Sequence, residues 1–136
     1  MQSRPIAPPT PDAESTAFWD AARQGHFLLR HCNACATTHW FPRTICPFCW
    51  SSDTAWINGS GRGTVYSWTV MRRARIPYAV AYVELAEGPR MITNIVDCDL
   101  DDLRIGMAVE LTFIATTDPL APPVPMFRPA ASDSPE

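Results

Sequence analysis

Two Cys-x-x-Cys pairs, Cys32-Asn-Ala-Cys35 and Cys46-Pro-Phe-Cys49, constrain this chain more than any other feature. Two thiolates three positions apart turn toward one point, and a second such pair ten residues on closes a tetrahedron around Zn²⁺. Four sulfur ligands leave no position open for water, so the pattern predicts a structural metal centre rather than a catalytic one. The short intervening segment suits a compact rubredoxin-like ribbon. Knuckles of this kind favour glycine directly after the second cysteine, where φ is often positive, but Ala36 and Trp50 stand there. The rival reading is two disulfides. It requires an oxidising compartment, and Met1-Gln2-Ser3-Arg4-Pro5 lacks the apolar stretch of a secretion signal.

With 136 residues the chain fits one domain or two very small ones, and 46% hydrophobic content supports a packed core. The longest apolar run, Tyr78 to Val83, is far too short to cross a bilayer, so the expected location is cytoplasmic with no membrane contact. A net charge of −3 weighs against nucleic acid as the main partner, because phosphate neutralisation drives that binding. All eleven basic residues are arginine. The lack of lysine excludes Schiff-base chemistry by a side-chain amine and any lysine-dependent phosphate loop.

The chain divides by composition. Residues 1–11 carry Pro5, Pro8, Pro9 and Pro11 and read as an extended arm. Residues 12–58 hold a helix and the ribbon: Asp12 or Ser15 caps a helix running to about Gln24, with Phe18, Ala21 and Ala22 on one side and Gly25 as its stop. His26–His31 then reads as a strand, and His39–Arg43 returns toward the second knuckle, giving two short hairpins around the metal. Asn58–Gly63 is a glycine-rich joint. It is not a phosphate loop, because the strand-like Thr64–Val70 follows where a helix N-terminus is needed. Residues 59–128 carry successive strand signals at 64–70, 78–85, 90–96, 106–114 and 124–127. Five strands without a long helix predict a small closed barrel of the OB type, in a chain that is mainly β. Residues 129–136 read as a flexible tail.

Few groups offer chemistry. His26, His31 and His39 all lie near the ribbon, but four cysteines already satisfy zinc. Cys98 has no histidine neighbour in sequence and reads as a packed thiol. No carboxylates are spaced as a general acid and base. Arg72, Arg73 and Arg75 form the one basic cluster, placed where an OB barrel presents a binding loop. Three readings stand: a solvated loop, the phosphates of an acyl-CoA, or single-stranded nucleic acid with Tyr66, Trp68 and Tyr78 as stacking rings. Trp19, Trp40, Trp50 and Trp56 crowd the helix and ribbon, divided between packing around the metal and a partner surface.

Phe18-Trp19-Asp-Ala-Ala-Arg-Gln-Gly25, the four-cysteine ribbon with Phe41-Pro42-Arg43 between its knuckles, Gly61–Val70, Arg104–Met107 and Met126–Pro129 follow one another in a familiar succession. The chain resembles the family called domain of unknown function thirty-five, a rubredoxin-like zinc ribbon joined to an OB-fold, from about residue 14 to 129. The resemblance implies an accessory role beside acyl-CoA enzymes. The partners it implies are thiolase-like proteins, including aldolases of steroid side-chain CoA thioesters, and MaoC-like enoyl-CoA hydratases. In such pairs the partner holds the catalytic residues. The expectations are therefore structural zinc on Cys32, Cys35, Cys46 and Cys49, and contact with partner or CoA through Arg72, Arg73, Arg75, Trp19 and Trp40. The alternative is a nucleic-acid-binding module on the same two folds.

Overall fold

The computed structural model describes residues 4–130. Asp12 and Ser15 set the entry to helix α1 (Thr16–Arg23) by exchanging bonds: each backbone N–H donates 2.9 Å to the other's side-chain oxygen. Phe18 and Ala22, four positions apart, are the buried face of α1. Gly25, at φ +82°, ends it in the left-handed region where a side chain is disfavoured.

Strands β1 (Leu28–Cys32), β2 (Thr38–His39) and β3 (Thr54–Asn58) form an antiparallel sheet in the order β2-β1-β3. Two hairpins around the metal were expected, with a loose joint from Asn58. Instead β2 is only two residues long, and residues 54–58 return along the far edge of β1, from Leu28 opposite Asn58 to Cys32 opposite Thr54. The second knuckle is thus spliced between two strands that both border β1.

Strands β4 (Arg62–Met71), β5 (Tyr78–Leu85), β6 (Arg90–Ile95), β7 (Ala108–Ile114) and β8 (Val124–Pro129) close a barrel in the order β4-β5-β6-β8-β7, with β7 returning to β4. Only the β6–β8 pair is parallel; the others are antiparallel. This is the five-stranded barrel the sequence predicted. Pro129 still pairs with Val109, so β8 runs one residue into the segment assigned to the tail. Residues 131–136 of that segment, and 1–3 of the arm, lie outside the described residues. Ala79, Ala81, Val83 and Leu85 alternate inward along β5, as do Met91 and Ile95 on β6. Close strand approach explains one glycine. A Cβ on Gly63 would lie 2.5 Å from Val83 Cγ1 and 2.8 Å from the Glu84 carbonyl oxygen.

Helix, ribbon sheet and barrel share one core. Phe18, Phe27 and Leu29 pack with Val65, Val83, Met91, Val109 and Phe127, and the Phe27 and Phe127 rings meet edge-on at 6.4 Å. The arm lies along the barrel. Arg4 stacks 3.9 Å over Tyr78 and bonds Asn94, and the Ile6 carbonyl accepts the Thr117 N–H at 2.9 Å.

Candidate metal centre

The two knuckles are near copies of one backbone. In the first, the Cys32 N–H donates to the Thr37 carbonyl at 2.9 Å; in the second, the Cys46 N–H donates to the Ser51 carbonyl at 2.9 Å. Each turns through a left-handed residue after its second cysteine, Ala36 at φ 59° and Trp50 at φ 67°. The positive φ read from the motif is present without the glycine that normally supplies it, at a cost of about 1–2 kcal/mol per residue.

These turns bring the Sγ atoms of Cys32, Cys35, Cys46 and Cys49 within 4.8 Å of one another. Cys32 and Cys49 stand 3.6 Å apart, and Cys35 and Cys46 3.7 Å apart. A tetrahedral Zn²⁺ with ligand bonds of about 2.3 Å spaces its sulfurs by about 3.8 Å, so the donor set fits the ion. Two further N–H groups point at sulfur: Cys35 N–H toward Cys32 Sγ at 3.5 Å, and Phe48 N–H toward Cys46 Sγ at 3.4 Å. Without a cation Cys35 and Cys49 titrate apart. The Thr37 hydroxyl leads in lowering Cys35 to about 6. Against the bond from Ser51, which lowers it, desolvation and the neighbouring Cys32, Cys35 and Cys46 sulfurs push Cys49 up to about 12. Four crowded sulfurs cannot all ionise unless a cation compensates them. The site is a structural zinc centre.

The histidines stay outside it. His31 Nδ1 meets Thr38 Oγ1 at 2.9 Å, and His26 is exposed. His39 is buried and donates Nε2–H to the Arg43 carbonyl at 3.3 Å, and its burial pushes its pKa down. Sequence reasoning missed Arg30, a buried cation on β1. It bonds Thr54 Oγ1 and lies 4.6 Å over the Trp56 ring, and Thr54 in turn donates 2.6 Å to the Thr44 carbonyl. Glu14, just before α1, accepts from both the Thr44 N–H and hydroxyl at 2.9 Å. The chain Glu14–Thr44–Thr54–Arg30 ties helix, second knuckle and sheet together. Only strand pairing of residues 54–58, which the sequence did not signal, brings these groups into reach.

Arg72, Arg73 and Arg75 lie in the loop between β4 and β5. Arg72 pairs with Asp101 at 3.6 Å, with both side chains exposed. Arg72 and Arg75 line a groove of about 890 Å³ together with Asp97, Cys98, Asp99 and Asp101, whereas Arg73 is not part of its lining. Burial, then Asp102, Asp99 and Asp97, raise the Cys98 thiol, the opposite of an activated nucleophile. Trp19 and Trp40 both pack edge-on against Phe18, at 4.9 and 5.6 Å, and are half-buried. The exposed rings of this region are Phe41, Phe48 and Trp50.

A ribbon closed by four cysteines, set on a five-stranded OB barrel, defines a two-module ribbon-and-barrel class. The chain belongs to the DUF35 family: residues 19–55 match the ChsH2 rubredoxin-like zinc ribbon domain and residues 56–113 the ChsH2 C-terminal OB-fold domain. It is 39% identical over 103 residues to a DUF35 domain-containing scaffold protein of Methanocaldococcus jannaschii, covering 70% of this chain and 73% of that one. It is also 39% identical over 120 residues to a "probable enoyl-CoA hydratase alpha subunit" of Thermomonospora curvata, covering 84% of this chain. The chain spans only 37% of the length of that relative. Among solved structures, "Ltp2-ChsH2(DUF35) aldolase" superposes with a TM-score of 0.77 at 36% identity, covering 90% of this chain and 99% of that one. A DUF35 protein of Sulfolobus solfataricus shares the fold at a TM-score of 0.65, with 11% identity over 87% of this chain and 86% of that one.

Proposed function

We propose that this chain is a non-catalytic accessory subunit of an acyl-CoA enzyme. The partner it fits best is a thiolase-like aldolase or thiolase acting on CoA thioesters, with steroid side chains as the favoured acyl class. One observation carries the reading. The only metal-ligand cluster among the described residues is saturated by four cysteines, so it offers no position to a substrate. Cys98, the remaining thiol, is made less reactive first by burial and then by its neighbouring aspartates. Kinship with the DUF35 component of an aldolase supports a partner that supplies the chemistry. In this reading zinc folds the ribbon, and the barrel loop with Arg72, Arg73 and Arg75 is the candidate contact for partner or CoA; that Arg72 and Arg75 line one groove supports it. Work in the cytoplasm, where thiols stay reduced, suits the centre.

The hydratase relative supports a second reading, an accessory subunit of a MaoC-like enoyl-CoA hydratase. Nucleic acid is disfavoured, because the arginine loop faces Asp97, Asp99 and Asp101 across the groove. The test is turnover. The chain alone cleaves and hydrates no CoA thioester, its addition raises the rate or lifetime of the partner enzyme, and Cys98→Ala leaves that effect intact. Turnover by the isolated chain that disappears in Cys98→Ala would overturn the reading.

A further inference from the structure

We infer that Arg30 is the buried counter-charge of the metal centre, favouring the loaded ribbon through its charge rather than through a bond to sulfur. The inference goes beyond the accessory reading, because it holds whichever enzyme the chain serves. Of the three charged residues from 30 to 58, Arg43 and Asp53 are exposed, whereas Arg30 is only 7% exposed. A cation taken out of water to this depth is costly unless it is compensated. The guanidinium donates to Thr54 Oγ1 and lies 4.6 Å over the Trp56 ring, and its Nε–H has no partner. None of the ion pairs among the described residues includes it. A hydroxyl and a ring face attract a cation, but neither carries a negative charge to neutralise it.

The missing charge lies next along the strand. Arg30 and Cys32 are alternate residues of β1, so they share a face and stand about 7 Å apart along it. Thr54, whose hydroxyl accepts the Arg30 bond, is opposite Cys32 in register. That hydroxyl donates in turn to the carbonyl of Thr44, two residues before Cys46. The guanidinium is thereby held between the strand that carries one ligand and the segment that leads to another.

Zn²⁺ held by four thiolates keeps an excess of two negative charges. Cys32 and Cys46 are fully buried, so water and salt screen that excess poorly. A buried cation and a buried anionic centre, each short of a counter-charge, therefore meet in one small sheet. The N–H groups that point at sulfur belong to Cys35 and Phe48, so Arg30 acts across space. Glu14 is the rival partner for the cation, but it is exposed and is joined to it only through Thr44 and Thr54.

The experiment compares the full chain with Arg30→Gln, which keeps a donor for Thr54 but no charge, and with Arg30→Lys, which keeps the charge. Two quantities are read. One is zinc affinity, by competition with a chelator. The other is the ferric–ferrous reduction potential of the chain loaded with iron, which a tetrahedral four-sulfur site accepts in place of zinc. A nearby cation favours the more negative ferrous site, so its loss lowers the potential, whereas a packing role leaves the potential where it was. Arg30→Gln binds zinc at least tenfold more weakly and has the lower potential, and Arg30→Lys restores both. Weaker zinc binding at an unchanged potential would overturn the inference and leave Arg30 as a member of the Glu14–Thr44–Thr54 tie alone. Parent-like zinc affinity in Arg30→Gln would overturn it outright. Complete loss of metal from Arg30→Gln, with Arg30→Lys loading as the parent chain does, bears the inference out. Failure of Arg30→Lys to restore either quantity, or loss of metal from both variants, would overturn it by tracing the effect to side-chain shape.

Discussion

Ribbon and barrel solve the problem of a small core in different ways. In the barrel every strand is hydrogen-bonded on both sides, and inward residues such as Val65, Val83, Met91 and Phe127 fill the interior. In the ribbon the knuckles close on four sulfurs while the sheet lends Leu29 to the shared core, and much of the apolar side-chain surface of the second knuckle faces outward. Stability is spread over many contacts in one region and concentrated at four points in the other. The knuckle tips take little part in the shared core, and one of them is aromatic where its twin is not.

The largest expected effect separates the two. Chelation, or Cys46→Ser, removes a contribution of about 10–16 kcal/mol and melts β1–β3. Hydrogen exchange would then show lost protection at Leu29 and Ile57 but retained protection along β5; uniform loss would break the division. Phe127→Ala tests the link between the regions, because Phe127 is fully buried in β8 and touches Phe27. It costs about 3–5 kcal/mol and lowers the melting temperature of both regions together. Gly63→Ala forces β5 away from β4 and costs about 1–3 kcal/mol, with zinc content unchanged.

The smallest effect is a pH dependence. Burial lowers the pKa of His39 from 6.5, so the unfolded chain binds more protons than the folded one near that pH. Stability from this residue is complete above about pH 6.5 and is lost as pH falls through the lowered folded value. His39→Gln retains a donor for the Arg43 carbonyl without titrating, and flattens the melting temperature as pH falls below about 6.5.

Much of this was legible in the sequence. Cysteine spacing carries the metal centre because thiolate geometry is local, and period-two alternation reveals β5 and β6 because each has one buried face. The positive φ at Ala36 and Trp50 was readable from the knuckle turn itself. Strand β3 was not, since Thr54–Asn58 is short and its role depends on Leu28–Cys32, far away in sequence. Arg30, Thr44 and Glu14 were missed for the same reason. Trp19 and Trp40, read as candidate contacts, pack on Phe18 and are half-buried, and sequence could not tell which tryptophans face out because exposure is decided by the tertiary fold.

Native mass spectrometry of the chain, purified without added metal and mixed with Ltp2, tests the central claim most directly. The predicted result is one zinc ion per chain and a heteromeric complex with Ltp2. A folded, metal-free chain that remains alone would contradict both the structural zinc and the accessory role.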